Sequence, residues 1–203
     1  MYKRLFDVEN KLDEAMFLFG ARQTGKSTLL RERFKEAIYY DLLNPRIKRA
    51  FKLNPNSLWE ALQDKPAKTL VIIDEIQKVP ELLDVVHSLM VNRGLFFILS
   101  GSSARKIKRS GANTLGGRAI PETLYPLVWP EVTDFQIDRA VQNGMIPRHY
   151  MVENAVFVLN SLWITTNKHY FYLDFFAVSI FLCKFAKVFI LTDVFKVTKH
   201  NLG

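Results

Sequence analysis

The stretch Gly20-Ala21-Arg22-Gln23-Thr24-Gly25-Lys26-Ser27, continuing Thr28-Leu29-Leu30, decides how the rest of the chain is read. Two glycines with four residues between them, followed at once by a lysine and a hydroxyl, form the complete phosphate-loop pattern. The glycines let the backbone approach an anion closely, and successive N–H groups leading into a helix N-terminus can point at it. An ordinary glycine turn before a helix is the plain alternative. The flanking residues decide between the two.

Upstream, Ala15-Met-Phe-Leu-Phe19 is a short apolar run that reads as a buried strand. Downstream, Leu29, Leu30 and Phe34 fall at helical spacing, so a helix is expected from Lys26 to Phe34. Ile38–Leu42 reads as a second strand ended by the turn-forming pair Asn44-Pro45. Ser57 is expected to cap a helix running to Leu62, with Glu60 completing a capping box. Thr69–Asp74 is so uniformly apolar before its final acid that it reads as a central parallel strand. Pro80 suits the first turn of a helix whose apolar positions are 82, 83, 85, 86, 89 and 90, ending near Gly94. Leu95–Ser100 reads as another buried strand, and Ile120–Leu124 as an edge strand. Strands alternating with helices imply an α/β fold, a mostly parallel sheet covered on both faces.

The strand ending at Asp74 carries a second carboxylate, Glu75, and open α/β sheets bind ligands at the C-terminal ends of their strands. With the phosphate loop, these acids define a division of labour. Gly20, Ala21, Arg22, Gln23, Thr24, Gly25, Lys26, Ser27 and Thr28 would wrap the phosphates of ATP, with Lys26 reaching the β and γ groups. Ser27 and Asp74 would hold Mg²⁺, Asp74 either directly or through water, and Glu75 would orient or deprotonate the attacking water.

Four segments in register, GARQTGKSTLL, VIIDEIQKVPELLDVV, FILSGSSARKIKRSGANTLGGRA and YPLVWPE, resemble the prokaryotic AAA-type ATP-binding proteins, whose ATPase domain precedes an uncharacterised, nuclease-like C-terminal domain. The resemblance covers residues 1–150. It implies a P-loop NTPase core, a three-layer sandwich, with ATP and Mg²⁺ as ligands. It also implies that a polar residue after the fourth strand senses the γ-phosphate, here Ser102, with Ser100 and Ser103 as neighbours able to take its place. The family's arginine after a glycine pair falls on Arg118, which would contact nucleotide either in its own chain or in a neighbouring subunit of a homo-oligomer. Helix capping by Ser102 and a turn role for Arg118 are the structural alternatives.

Composition narrows the rest. A net charge of +8 favours anionic partners without choosing among nucleotide, nucleic acid and membrane surface. Arg105, Lys106, Lys108 and Arg109 form a basic run that reads either as a solvated loop or as a contact to a DNA or RNA backbone. A protein partner is equally compatible. Cys183 is the only cysteine, which excludes an intramolecular disulfide and agrees with a reducing cytoplasm. His87, His149, His169 and His200 lack ligand spacing, and the N-terminal acids Asp7, Glu9, Asp13 and Glu14 interrupt any export signal.

From residue 151 onward the chain has no arginine or proline and is rich in phenylalanine. Lys168, Asp174, Lys184 and Lys187 break its apolar runs, so no membrane span is expected. Residues 151–203 are therefore read as an irregular aromatic-rich tail, a truncated or frame-shifted remnant of the C-terminal domain. Two other functions remain open on this sequence: a small-molecule kinase, and a nucleotide switch that binds without turnover.

Overall fold

The computed structural model describes residues 2–8, 15–102 and 115–152. The chain forms two compact units, Met1–Leu127 and Val128–Gly203. The first contains a five-stranded sheet: β1 (Ala15–Phe19), β2 (Ile38–Asp41), β3 (Leu70–Asp74), β4 (Phe96–Gly101) and β5 (Ala119–Thr123). Their order is β2-β3-β4-β1-β5, and every pairing is parallel.

The alternation of side chains across this sheet builds two cores. Ala15, Phe17, Val71, Ile73, Phe97 and Leu99 face one cluster, which takes in Phe51 from helix α2 (Pro45–Leu53), Leu58 and Leu62 from α3 (Ser57–Leu62), and the apolar residues of α4 (Leu82–Arg93). Met16, Leu18, Ile72 and Ile98 face the other, packed on Leu29 and Leu30 of helix α1 (Lys26–Arg33) and on Val8. The fold is thus a three-layer α/β sandwich of the P-loop type. The six apolar positions read for α4 are its six buried residues, and Gly94 closes it in the left-handed conformation.

Two local expectations need correction. Asn44-Pro45 does more than end β2: the Asn44 side chain accepts from the backbone N–H of Arg46 at 3.0 Å, and Pro45 opens α2. A rigid φ at the first helical position suits a helix start as well as a turn, so the dipeptide alone does not decide between them. Ser57 is not the cap of α3 either. Asn56 occupies that position, and the Ser57 hydroxyl instead donates back to the Asn54 carbonyl at 2.7 Å.

The described part of the second unit holds two short helices, α5 (Ile137–Asn143) and α6 (Pro147–Tyr150). Tyr150 is fully buried, stacks on Phe135, and accepts from the Gln136 N–H at 2.8 Å. The tail expectation, beyond Met151 and Val152, lies outside the described residues, as does the basic run at 105–109. Among the described residues no helix is long and apolar enough to cross a membrane.

Candidate nucleotide site

The loop between β1 and α1 is shaped by its glycines. Gly25 adopts φ 91° immediately before α1, a left-handed conformation open to glycine at little cost. Gly20 sits so close to the chain leaving β5 that an added Cβ would lie 2.4 Å from the Leu124 carbonyl oxygen. Thr24 is buried and closes the loop by donating to the Ala21 carbonyl at 2.9 Å. Arg22, Gln23 and Thr28 are exposed around it. No side chain caps the first turn of α1 and no acid lies in that turn, which suits the helix N-terminus to an anion.

Lys26 is 5% exposed, and its ammonium donates to the carbonyls of Gly20 at 2.8 Å and Ala21 at 2.9 Å. Burial pushes its pKa below the ordinary value of 10.5, while the carboxylates of Glu75 and then Asp74 pull it back up. A phosphate beside this ammonium would offset its desolvation further. The site therefore fits a nucleotide's phosphates through an uncapped helix terminus and a buried cation.

Strand order brings the acids to this loop. β4 lies between β1 and β3, so the ends of all three strands form one edge, with Gly101 in register with Phe19. Asp74 is 1% exposed. One of its oxygens accepts from the Ser100 hydroxyl, and the other accepts from the Tyr39 hydroxyl at 2.7 Å. Ser27, half-buried, lies in the first turn of α1. The two Asp74 oxygens and the Ser27 hydroxyl are hard oxygen donors of the kind Mg²⁺ prefers.

Glu75 follows in the left-handed conformation, φ 60° and ψ 44°, unusual for a residue with a Cβ. This turn lifts its carboxylate out of the strand and toward Gln77, whose amide donates to it. The same amide nitrogen donates to the Ser102 hydroxyl at 3.2 Å. Gln77 thus joins Glu75 to Ser102, and a carboxylate acceptor fixes which end of the amide faces it.

Arg118 stands apart from this group. It precedes β5, whose first residue is in register with Ala15 and whose last is in register with Phe19. Roughly 13 Å of strand therefore lies between Arg118 and the loop edge. Arg118 is thus placed at the start of β5, away from the loop edge of its own chain. Ser103 lies outside the described residues.

Three contributors carry no motif. Tyr39, Gln77 and Arg4 act through single side chains at positions that spacing does not mark. Arg4 donates to the Thr24 carbonyl within the loop at 2.6 Å and to the Tyr125 carbonyl at 2.7 Å. An arginine in a segment before the first strand offers no sequence signal for such a contact.

A phosphate loop opening a helix on a parallel five-stranded sheet, with an acid at the end of a nearby strand, defines an ATP-binding domain of the P-loop class. The family model described as an AAA domain matches residues 12–133, and the chain belongs to that family. It is similar to an uncharacterized protein, MJ1637, of Methanocaldococcus jannaschii, with 29% identity over 142 residues covering 61% of this chain. The chain spans 28% of that relative's length. Among solved structures it resembles the Walker-type ATPase PABY2304 of Pyrococcus abyssi, at TM-score 0.44 and 16% identity over 97% of this chain and 76% of that one. It also resembles a chain from the structure of Drosophila ORC bound to DNA, at TM-score 0.43 and 18% identity over 64% of this chain and 40% of that one.

Proposed function

We propose that residues 1–150 form an AAA-type domain that hydrolyses ATP and drives a conformational change in a partner, with residues 151–203 lying outside that domain. The observation that carries this reading is the joint position of Lys26, Ser27, Asp74 and Glu75 at one edge of a single sheet. Lys26 holds the β and γ phosphates, and the α1 N-terminus with Gly20–Gly25 wraps the remainder. Ser27 and Asp74 hold Mg²⁺, which would neutralise charge on the phosphates. Glu75 serves as the base that orients or deprotonates water, and Ser102 is the γ-phosphate contact.

The hydrogen bond from Gln77 to Glu75 favours slow turnover in the isolated chain, since the carboxylate must leave this partner before it can engage water. That observation also supports a second reading, a switch that binds ATP and waits for its partner. Arg118, far from its own loop, supports a homo-oligomer in which it reaches the nucleotide of a neighbour. The charge of +8 and the basic run at 105–109 support a nucleic-acid backbone as a partner, which a steep loss of binding with salt would reveal.

Mg²⁺-dependent ATP hydrolysis, measured against protein concentration beside Glu75→Gln, tests the proposal. Turnover that needs Mg²⁺ and falls at least about 100-fold in the variant, with ATP binding retained, is the expected result. A rise per subunit with concentration identifies an oligomeric site. Tight binding without turnover at any concentration selects the switch. Turnover that appears only with an added metabolite and phosphorylates it selects a kinase and refutes the hydrolytic reading.

A further inference from the structure

Tyr39 lies on β2, outside both the phosphate loop and the acidic end of β3, yet its hydroxyl is bonded to the acid that ends β3. It donates to Asp74 Oδ2 at 2.7 Å. A phenol has one proton. That proton goes to Asp74, so the phenol is a fixed donor to one oxygen of this carboxylate. On Asp74, Tyr39 and Ser100 each engage a different oxygen. A carboxylate has about four lone-pair sites, so acceptor capacity remains.

The ring itself is held on an independent footing. The Arg31 guanidinium carbon lies 3.8 Å from the centroid of the Tyr39 ring, and Arg31 also pairs with Asp41 at 3.4 Å. These contacts come from the second turn of α1 and from the end of β2. They restrain where the hydroxyl sits without using it.

We propose that Tyr39 is a positioning residue of the magnesium site, a hydroxyl that does not touch the cation but sets the orientation of the Asp74 carboxylate. The inference rests on the reading of Ser27 and Asp74 as the magnesium ligands. Groups that hydrogen-bond to metal ligands fix their orientation, and losing one lowers metal affinity by about 10-fold to 100-fold. Tyr39→Phe removes the hydroxyl and keeps the ring under Arg31, so the fold is expected to survive.

The test uses the full chain and a fluorescent ATP analogue, titrated with Mg²⁺ and separately in excess EDTA, so that binding rather than turnover is read. In Tyr39→Phe the Mg²⁺ concentration giving half-maximal nucleotide binding is expected to rise about 10-fold, with affinity in EDTA unchanged. Asp74→Asn should weaken Mg²⁺-dependent binding, and adding Tyr39→Phe to it should lose little more, because Tyr39 acts through that carboxylate. Fully additive losses would overturn the positioning role. A Tyr39→Phe chain with unchanged or stronger Mg²⁺ dependence would also overturn it, the stronger case marking the phenol as a competitor of the cation. Asp74→Asn separates the two levels of the argument. If it abolishes Mg²⁺ dependence while Tyr39→Phe does not change it, only the Tyr39 inference falls. If Asp74→Asn has no effect, the assignment of the ligands falls, and the inference with it.

Discussion

Gly20→Ala is predicted to destabilise the fold far more than the same change at Gly94, Gly117 or Gly144. Gly20 has φ 154°, and its added Cβ would lie 2.4 Å from the Leu124 carbonyl oxygen and 3.2 Å from Thr24 Oγ1. The carbonyl has little room to retreat. The Leu124 N–H donates to Phe19 at 2.8 Å, Leu124 is buried, and the next carbonyl is held by Arg4. The loop must therefore move. A non-glycine residue in such a backbone region costs about 2 kcal/mol, and overpacking against fixed backbone costs about 2 kcal/mol more. Together these amount to about 4 kcal/mol, or a fall in melting temperature of about 12 °C for a chain of this size. Gly117→Ala supplies the control: φ there is 82°, but nothing lies within 4 Å of the added Cβ. Only the conformational cost of about 1 kcal/mol should appear. Thermal unfolding followed by circular dichroism, with nucleotide binding read in parallel, checks both. Equal losses in the two variants, or a Gly20→Ala midpoint within about 2 °C of the parent, would refute the close-approach argument.

The depressed pKa of Lys26 gives a pH dependence of defined sign. The folded chain disfavours the charged ammonium relative to the unfolded chain, so stability should rise as pH climbs through the interval between the lowered value and 10.5. Nucleotide affinity should fall over the same interval, because phosphate binds the charged form; calorimetry at several alkaline pH values reads both. Glu75→Gly should abolish turnover yet remain within about 1 kcal/mol of the parent in denaturant unfolding, since relief of the left-handed conformation offsets glycine's greater unfolded-state entropy. Asn44→Ala should cost about 1 kcal/mol through loss of the α2 cap. Ser57→Ala should cost less than about 0.5 kcal/mol, because Ser57 is inside α3 rather than at its cap.

What the sequence made legible follows from how local each signal is. The β1–α1 unit was readable because an apolar run, two glycines and a helical period stand next to one another between residues 15 and 34. The buried face of α4 was readable for the same reason, with Gly94 marking its end. Helix α2 was missed because Asn44-Pro45 serves a turn and a helix start with equal ease, and only Phe51 of its residues is buried. The loop and the acid pair announced themselves by spacing. Tyr39 and Gln77 did not, since their contacts depend on strand order and on the left-handed turn at Glu75, neither of which residue spacing records. Arg118 shows the same limit from the other side: its neighbouring glycines suggested a motif, while the parallel register of β5 with β1 set it at the far edge of the sheet.

The Arg4 guanidinium ties three stretches that are distant in sequence: the segment at residues 2–8, the crest of the phosphate loop at Thr24, and the chain leaving β5 at Tyr125 and Pro126. The segment is in effect a tether on the loop. A pull on residues 2–8, whether from a preceding stretch of chain, a fused tag or a bound molecule, would be transmitted to the Thr24 carbonyl and so to the curvature around Lys26. Load at that end of the domain would therefore act on the shape of the loop directly, through one side chain.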